Sequence, residues 1–336
     1  MRNVVAKARK YGLRCNSTSL IAPQSVQKRQ FKLIEENTIL LSIDGFHTLG
    51  RTLRLVNVVL QKLGEIPEES VRDNLRIIHD CYENLKPHGV EILELLLFSD
   101  PSTMHSFYSR ERSVLHVVSE DLGGSFIAMH DAWRGTSRIG VCMSRIRELP
   151  RLVQIGSLRH EVGHSVLHGS MEHYVFPISA PLIQAAKRLG LSKEYSFNLL
   201  YLISIAVKDF EVTRLLSEKG YVDDQVAYSN HVLGTSNEDL DAWQLSKGNP
   251  ASMSLCLAGR LKDAACLIAL QPRLSEQSVA DTLRGQLSYL PHPILDEMLK
   301  TLKRFPQAMV SDTFQNVAMM TKMFVEDLLQ RLFVQS

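Results

Sequence analysis

The rhythm of apolar and polar positions changes about halfway along this chain of 336 residues. Residues 33–43 (LIEENTILLSI) are rich in β-branched and large apolar side chains and stop at Asp44-Gly45, a turn signal, so they read as a strand. From Phe46 to Leu63 apolar residues recur at three- and four-residue spacing, which predicts a helix. Glu68 to Leu85 repeats that spacing until Lys86-Pro87 closes it. Val90–Phe98 (VEILELLLF) is a short apolar run whose length fits a strand or a helix, strand preferred, and Ser99-Asp100-Pro101 punctuates it. A helix follows from Ser102 to about Val118, and Gly123-Gly124 breaks the chain. Two short runs, SFIAMH at 125–130 and RIGVCM at 138–143, flank Trp133-Arg134-Gly135-Thr136 and predict a β-hairpin.

Beyond Pro150 the spacing becomes helical and stays so. A central helix covers about 151–168 with Gly169 at its C-terminal cap, and a long one covers about 193–218 and ends at Lys219-Gly220. Further helices open at Asn249-Pro250, Ser275 and Pro293, and 311–334 is amphipathic. The expected fold class is α+β: a small sheet with its helices, then a mostly α-helical C-terminal region. The expected division is a basic tail over 1–32, an α+β domain over 33–220 and a helical domain over 221–336.

Composition is that of an ordinary globular chain, 45% hydrophobic and 22% charged. A net charge of +2 gives no dominant attraction to nucleic acid or to an anionic membrane, so neither is expected as a partner. The longest apolar candidate, FNLLYLISIAV at 197–207, is too short to span a bilayer and reads as a buried helix. Five cysteines (Cys15, Cys81, Cys142, Cys256, Cys266) lack CxxC spacing, which fits free thiols in a reducing, cytoplasmic setting and argues against a cysteine-ligated metal. The first 32 residues carry eight Lys/Arg and no acid. A solvated basic tail is the plainer reading and an organelle transit peptide the alternative.

The chemistry concentrates at 158–170, LRHEVGHSVLHGS. Residues four apart on a helix lie about 40° apart around its axis, so His160 and His164 can offer two imidazole nitrogens to one Zn2+. Glu161 is turned by about 100° from His160 and reaches a water rather than the ion. The metal acidifies that water and the carboxylate takes the proton as general base. This is the HExxH arrangement of a metal-dependent hydrolase. Gly163, inside the motif, lets another element approach closely. His168 is two turns past His160 and rotated by about 80°, which suits free helix carbonyls better than ligation.

HEVGH preceded by a hairpin resembles the zincin metallopeptidases, and the pattern HExGHxxxH is similar to that of ImmA/IrrE-type metallopeptidases; the resemblance covers about 125–216. It implies a zincin-like sheet beside the active-site helix, His160 and His164 as zinc ligands, Glu161 as base, and a peptide or protein substrate held as an added strand. The edge strand would be Ile139, Gly140, Val141, Cys142 and Met143. Ser170 stands where a metzincin has its third histidine.

In gluzincin-like relatives the third ligand is an acid on a later helix, and 193–218 offers Asp209 and Glu211. Leu202, Ala206, Asp209, Thr213 and Leu216 form one mostly apolar stripe, whereas Glu211 shares its side with Lys208, Arg214 and Glu218, a solvated face. Asp209 is therefore the inward acid, as third ligand or as partner of a ligand, with Glu211 the alternative. The gluzincin pattern also has a glutamate where this chain has Ile205, a departure that leaves the ligand open. His173, Tyr174, Tyr228 and His231 are candidates for a hydrogen bond to an oxyanion. The expected function is a zinc metallopeptidase. The alternative is a non-catalytic or regulatory zinc protein whose helical region binds a protein partner.

Overall fold

The computed structural model describes residues 38–41, 56–115 and 126–333. The basic stretch 1–32, the 46–55 part of the helix expected from Phe46 to Leu63 and the Gly123-Gly124 break lie outside them. Among the described residues five strands form one mixed sheet in the order β1-β2-β3-β5-β4: β1 Thr38–Leu41, β2 Asn57–Leu63, β3 Ile92–Phe98, β4 Ala128–Asp131 and β5 Ser137–Cys142. The neighbours β2, β3 and β5 run parallel, while β1 and β4 are antiparallel to the strands they border. Parallel pairing needs a long crossover, and α1 (Glu68–Asn84) supplies it between β2 and β3.

The helix expected up to Leu63 is overturned over 57–63, which is β2. Three-residue spacing misled there because Val58 and Leu60 face the core in alternation, and pairing with β3 decides the conformation. The apolar run of β3 has no alternation for a related reason: both faces of the sheet are covered. Leu93, Leu95 and Leu97 join Ile139 and Val141 of β5 against Ile77, Ile78 and Tyr82 of α1. Leu96, Phe98 and Cys142 pack on the other side against Met104 and Tyr108 of α2 (Pro101–Leu115).

The predicted hairpin is present as β4 and β5, but with the arms exchanged. β5 has β3 on one side and β4 on the other, so Ile139, Gly140, Val141 and Cys142 have no free backbone edge, and Met143 already opens α3 (Met143–Arg147). Their expected role as the substrate's edge strand is overturned. Either arm of a hairpin can be outermost; here parallel pairing with β3 claims the second arm and leaves β4 outside. Arg138 of β5, 1% exposed, binds Asp131 of β4 (Nε–Oδ1 3.0 Å) and grips Glu111 of α2 through both terminal nitrogens (2.6 and 2.8 Å). This ties the hairpin to the layer behind it.

The helical series is α4 (Arg151–His168), α5 (Ala180–Leu189), α6 (Lys193–Glu218), α7 (Asp223–Leu233), α8 (Asn237–Ser246), α9 (Pro250–Ala269), α10 (Glu276–Leu287), α11 (His292–Ala308) and α12 (Thr313–Met323). A π turn over Phe324–Leu329 continues α12 into α13 (Gln330–Phe333). The expected starts hold: Asn249 and Ser275 cap through their side chains, and Pro293 sits in the first turn of α11. Leu199, Ile203, Ala206 and Phe210 of α6 belong to the helical core with α9, but Val212 and Leu216 belong to the sheet core. The two cores meet inside α6. No helix among the described residues is long and apolar enough to cross a membrane.

Two glycines let α4 sit deep. A Cβ at Gly163 would lie 2.6 Å from Val212 of α6, and one at Gly156 would lie 2.3 Å from the Asp224 carbonyl oxygen and 2.9 Å from Tyr228 Cβ, both on α7. Gly156→Ala gains about 1 kcal/mol of helix propensity. It must also push two backbones apart, a strain of about 3 kcal/mol. The expected outcome is a net loss of about 2 kcal/mol in urea unfolding, seen as a lower midpoint with an unchanged slope.

Candidate metal centre

α4 sets His160 and His164 one turn apart, and close packing against α6 brings Asp209 between them. His160 Nε2 and His164 Nε2 are 3.2 Å apart, and Asp209 Oδ1 is 3.1 Å from the second and 3.6 Å from the first. Tetrahedral coordination with bonds of about 2.0–2.1 Å separates its donor atoms by about 3.3 Å. The three sides of the triangle bracket that value, so these residues fit a zinc-sized cation. His160 is 1% exposed, whereas the His164 and Asp209 side chains are 12% and 14% exposed, so the centre is reached from their side.

The protonation states also suit a cation. Burial pushes the His164 imidazole down to about 3, so its ring is neutral at neutral pH. Burial works to raise Asp209, but hydrogen bonds and charge from His160 and His164 hold it well below the usual carboxylate range. An ionised carboxylate beside a neutral imidazole offers lone pairs, as a divalent metal requires. Glu161 differs: burial pushes it up to about 7, the Asp209 charge adds to this, and His160 and a backbone N–H from His130 oppose it. A carboxyl titrating there both takes and gives a proton at neutral pH.

Side chains from four other elements surround the triangle. The Tyr228 ring of α7 lies 4.8 Å from that of His160. Burial pushes the Tyr228 hydroxyl far up, so it stays a donor. His130 of β4 stacks on His164 and bonds the Tyr174 hydroxyl at 2.9 Å and the Ser137 hydroxyl at 2.9 Å. Of the four oxyanion candidates, Tyr174 and Tyr228 are thus near the centre, His173 stands beyond His168, and His231 is exposed. Lys208 is buried, its Nζ 3.3 Å from the His173 carbonyl oxygen and 4.6 Å from the Tyr174 ring centre; burial pulls it down to about 8.

Sequence reasoning put Asp209 inward, and the structure brings it to both histidines. Glu211 it put on a solvated face, and that is overturned. Glu211 is 7% exposed and meets His168 rather than His160 or His164. Helical spacing along α6 does not reveal that α12 lies over this face, where Asn316 and Thr313 both bond Glu211. His168 likewise is not turned to free carbonyls: its Nδ1 is 3.2 Å from His164 Nδ1 and its Nε2 2.9 Å from Glu211 Oε2. Cys266 of α9 was missed altogether. Its sulfur, a ring nitrogen of His160 and a carboxylate oxygen of Asp209 lie within 4.8 Å of one another. Cysteine spacing along the chain carries no trace of such a long-range approach.

No family model matches this chain, and comparison with curated proteins and with solved structures finds no significant similarity. The site's geometry is therefore the sole guide to its chemistry. In metal-free protein the Glu161 carboxyl carbon is expected to titrate near 7 by 13C NMR, the signal being assigned by its loss in Glu161→Gln, and to titrate lower once a divalent cation is added. A metal-free value near the ordinary 4.5 would remove the case for Glu161 as a proton carrier.

Proposed function

We propose that the chain is a zinc-dependent metallopeptidase, with His160, His164 and Asp209 holding Zn2+ and Glu161 acting as general base. The observation that carries this reading is the triangle of donor atoms, 3.1, 3.2 and 3.6 Å on its sides, adjoining a carboxyl raised to about 7. When bound, zinc supplies Lewis acidity that lowers the pKa of a coordinated water towards about 7 and polarises a carbonyl. Glu161 takes the proton from the attacking water and delivers it to the leaving amine nitrogen.

The substrate in this reading is an extended peptide added to the outer edge of β4. That strand packs against α4, and the His130 backbone N–H already reaches the Glu161 carboxylate. Backbone groups on one strand edge recur every second residue, so Ala128 turns its own towards the same side. Main-chain pairing there would lay a scissile carbonyl across the centre with little demand on side-chain identity.

A second reading is supported by Cys266. A thiolate beside the triangle would make a four-donor, closed site, the form that structural zinc takes, and the chain would then be a regulatory zinc protein whose helical region meets a partner. X-ray absorption on the zinc protein separates the two: a nitrogen- and oxygen-only shell favours the hydrolase, and sulfur at about 2.3 Å favours the closed site. Zinc is expected to copurify with the wild type and to be lost in His164→Ala; equal zinc in both would sink the site. Glu161→Gln is expected to keep zinc and to lose cleavage of a peptide library by about 10²–10⁴-fold.

A further inference from the structure

The second nitrogen of His164 begins a chain of hydrogen bonds that ends in the C-terminal helices. His164 Nδ1 is 3.2 Å from His168 Nδ1, and His168 Nε2 is 2.9 Å from Glu211 Oε2. Asn316 Nδ2 donates to Glu211 Oε1 at 2.5 Å, and the Thr313 hydroxyl donates to Oε2 at 2.9 Å. His168, Glu211 and Asn316 are buried.

The direction of the chain is fixed at its far end. An amide N–H and a hydroxyl both point at Glu211, which as a carboxylate only accepts. His168 must then donate from Nε2, which leaves its Nδ1 as an acceptor. With a cation held by Asp209, which then needs no hydrogen bond from His164, a proton on His164 Nδ1 satisfies that acceptor, and His164 Nε2, the atom facing His160 and Asp209, keeps its lone pair for the cation. We infer that α12, through Glu211 and His168, holds His164 in the tautomer that can bind a metal. Glu211 and His168 are thus positioning residues of the centre. The inference rests on the zinc reading, since without a cation Asp209 competes for the His164 proton, but the His168 tautomer set by Glu211 exists without zinc.

Glu211→Gln tests the direction with almost no change of shape. With its carbonyl oxygen held by Asn316, a glutamine would offer an amide N–H to His168 Nε2. That reverses the chain and puts a proton on His164 Nε2. Partners at this distance from a metal are worth about 10–100-fold in affinity. The experiment combines 15N spectra of the imidazoles in chelator-treated protein with zinc competition titrations of wild type, Glu211→Gln and Thr313→Ser. The expected result is His168 Nε2–H in the wild type, reversed in Glu211→Gln with zinc binding about 10–100-fold weaker. Thr313→Ser, which keeps the hydroxyl, should match the wild type. Wild-type His168 carrying its proton on Nδ1, or zinc binding to Glu211→Gln within about twofold of wild type, overturns the inference. If Glu211→Gln fails to fold, the wild-type spectra decide. A wild type that binds no zinc removes the metal reading, and the same spectra still decide the His168 tautomer.

Discussion

The whole centre depends on how closely α4 approaches α6 and α7. Asp209 can stand 3.1 Å from His164 only because the helices cross at Gly163, where a side chain would collide with Val212. Tyr228 can lie against His160 only because Gly156 admits the α7 backbone. Polar bonds reinforce the same crossings: Gln225 donates to the Gly156 carbonyl at 3.0 Å, and Arg159 binds Asp224 at 2.8 Å. Tyr82 and Ser165 join α1 to the far side of α4 at 2.6 Å. The motif helix is thus clamped on several sides before any ligand is considered, which is how donor atoms come to be preorganised.

That preorganisation costs stability. His160 Nδ1 is buried with no hydrogen-bond partner among the described residues, a penalty of about 1–3 kcal/mol. Lys208, Glu161 and Glu211 are buried together, where each charge must be offset by its neighbours rather than by water. A fold optimised for stability alone would fill this volume with apolar side chains. Such conflict with ordinary core chemistry is what the proposed centre would require of the fold.

How much of this was legible depended on whether the signal was local. HExxH spacing put His160 and His164 on one face, and the apolar stripe of α6 turned Asp209 inward, because helical periodicity encodes both. The ends of α6 and the caps of α9 and α10 were legible for the same reason. What failed was non-local. Residues 57–63 carry a mixed pattern, and only pairing with β3 makes them a strand. The order of β4 and β5 is set by competition for the edge of β3, not by either strand's composition. Glu211 and Lys208 look solvated along α6 because the spacing holds no record of what the rest of the chain lays over them.

α6 joins the two halves mechanically and chemically. Its first part is the centre of the helical core beside α9, and its last part closes the sheet core through Val212 and Leu216. Asp209 and Glu211 lie at the junction, two positions and so about 200° apart around the helix. One serves the histidine pair, and the other reaches His168 while α12 holds its remaining acceptor sites. Separating the chain near residue 220 would leave α6 with an exposed apolar face and Glu211 without either donor. The helical region is therefore structural support for the centre itself: its packing fixes α6, and through α6 the position of the one acid that completes the triangle.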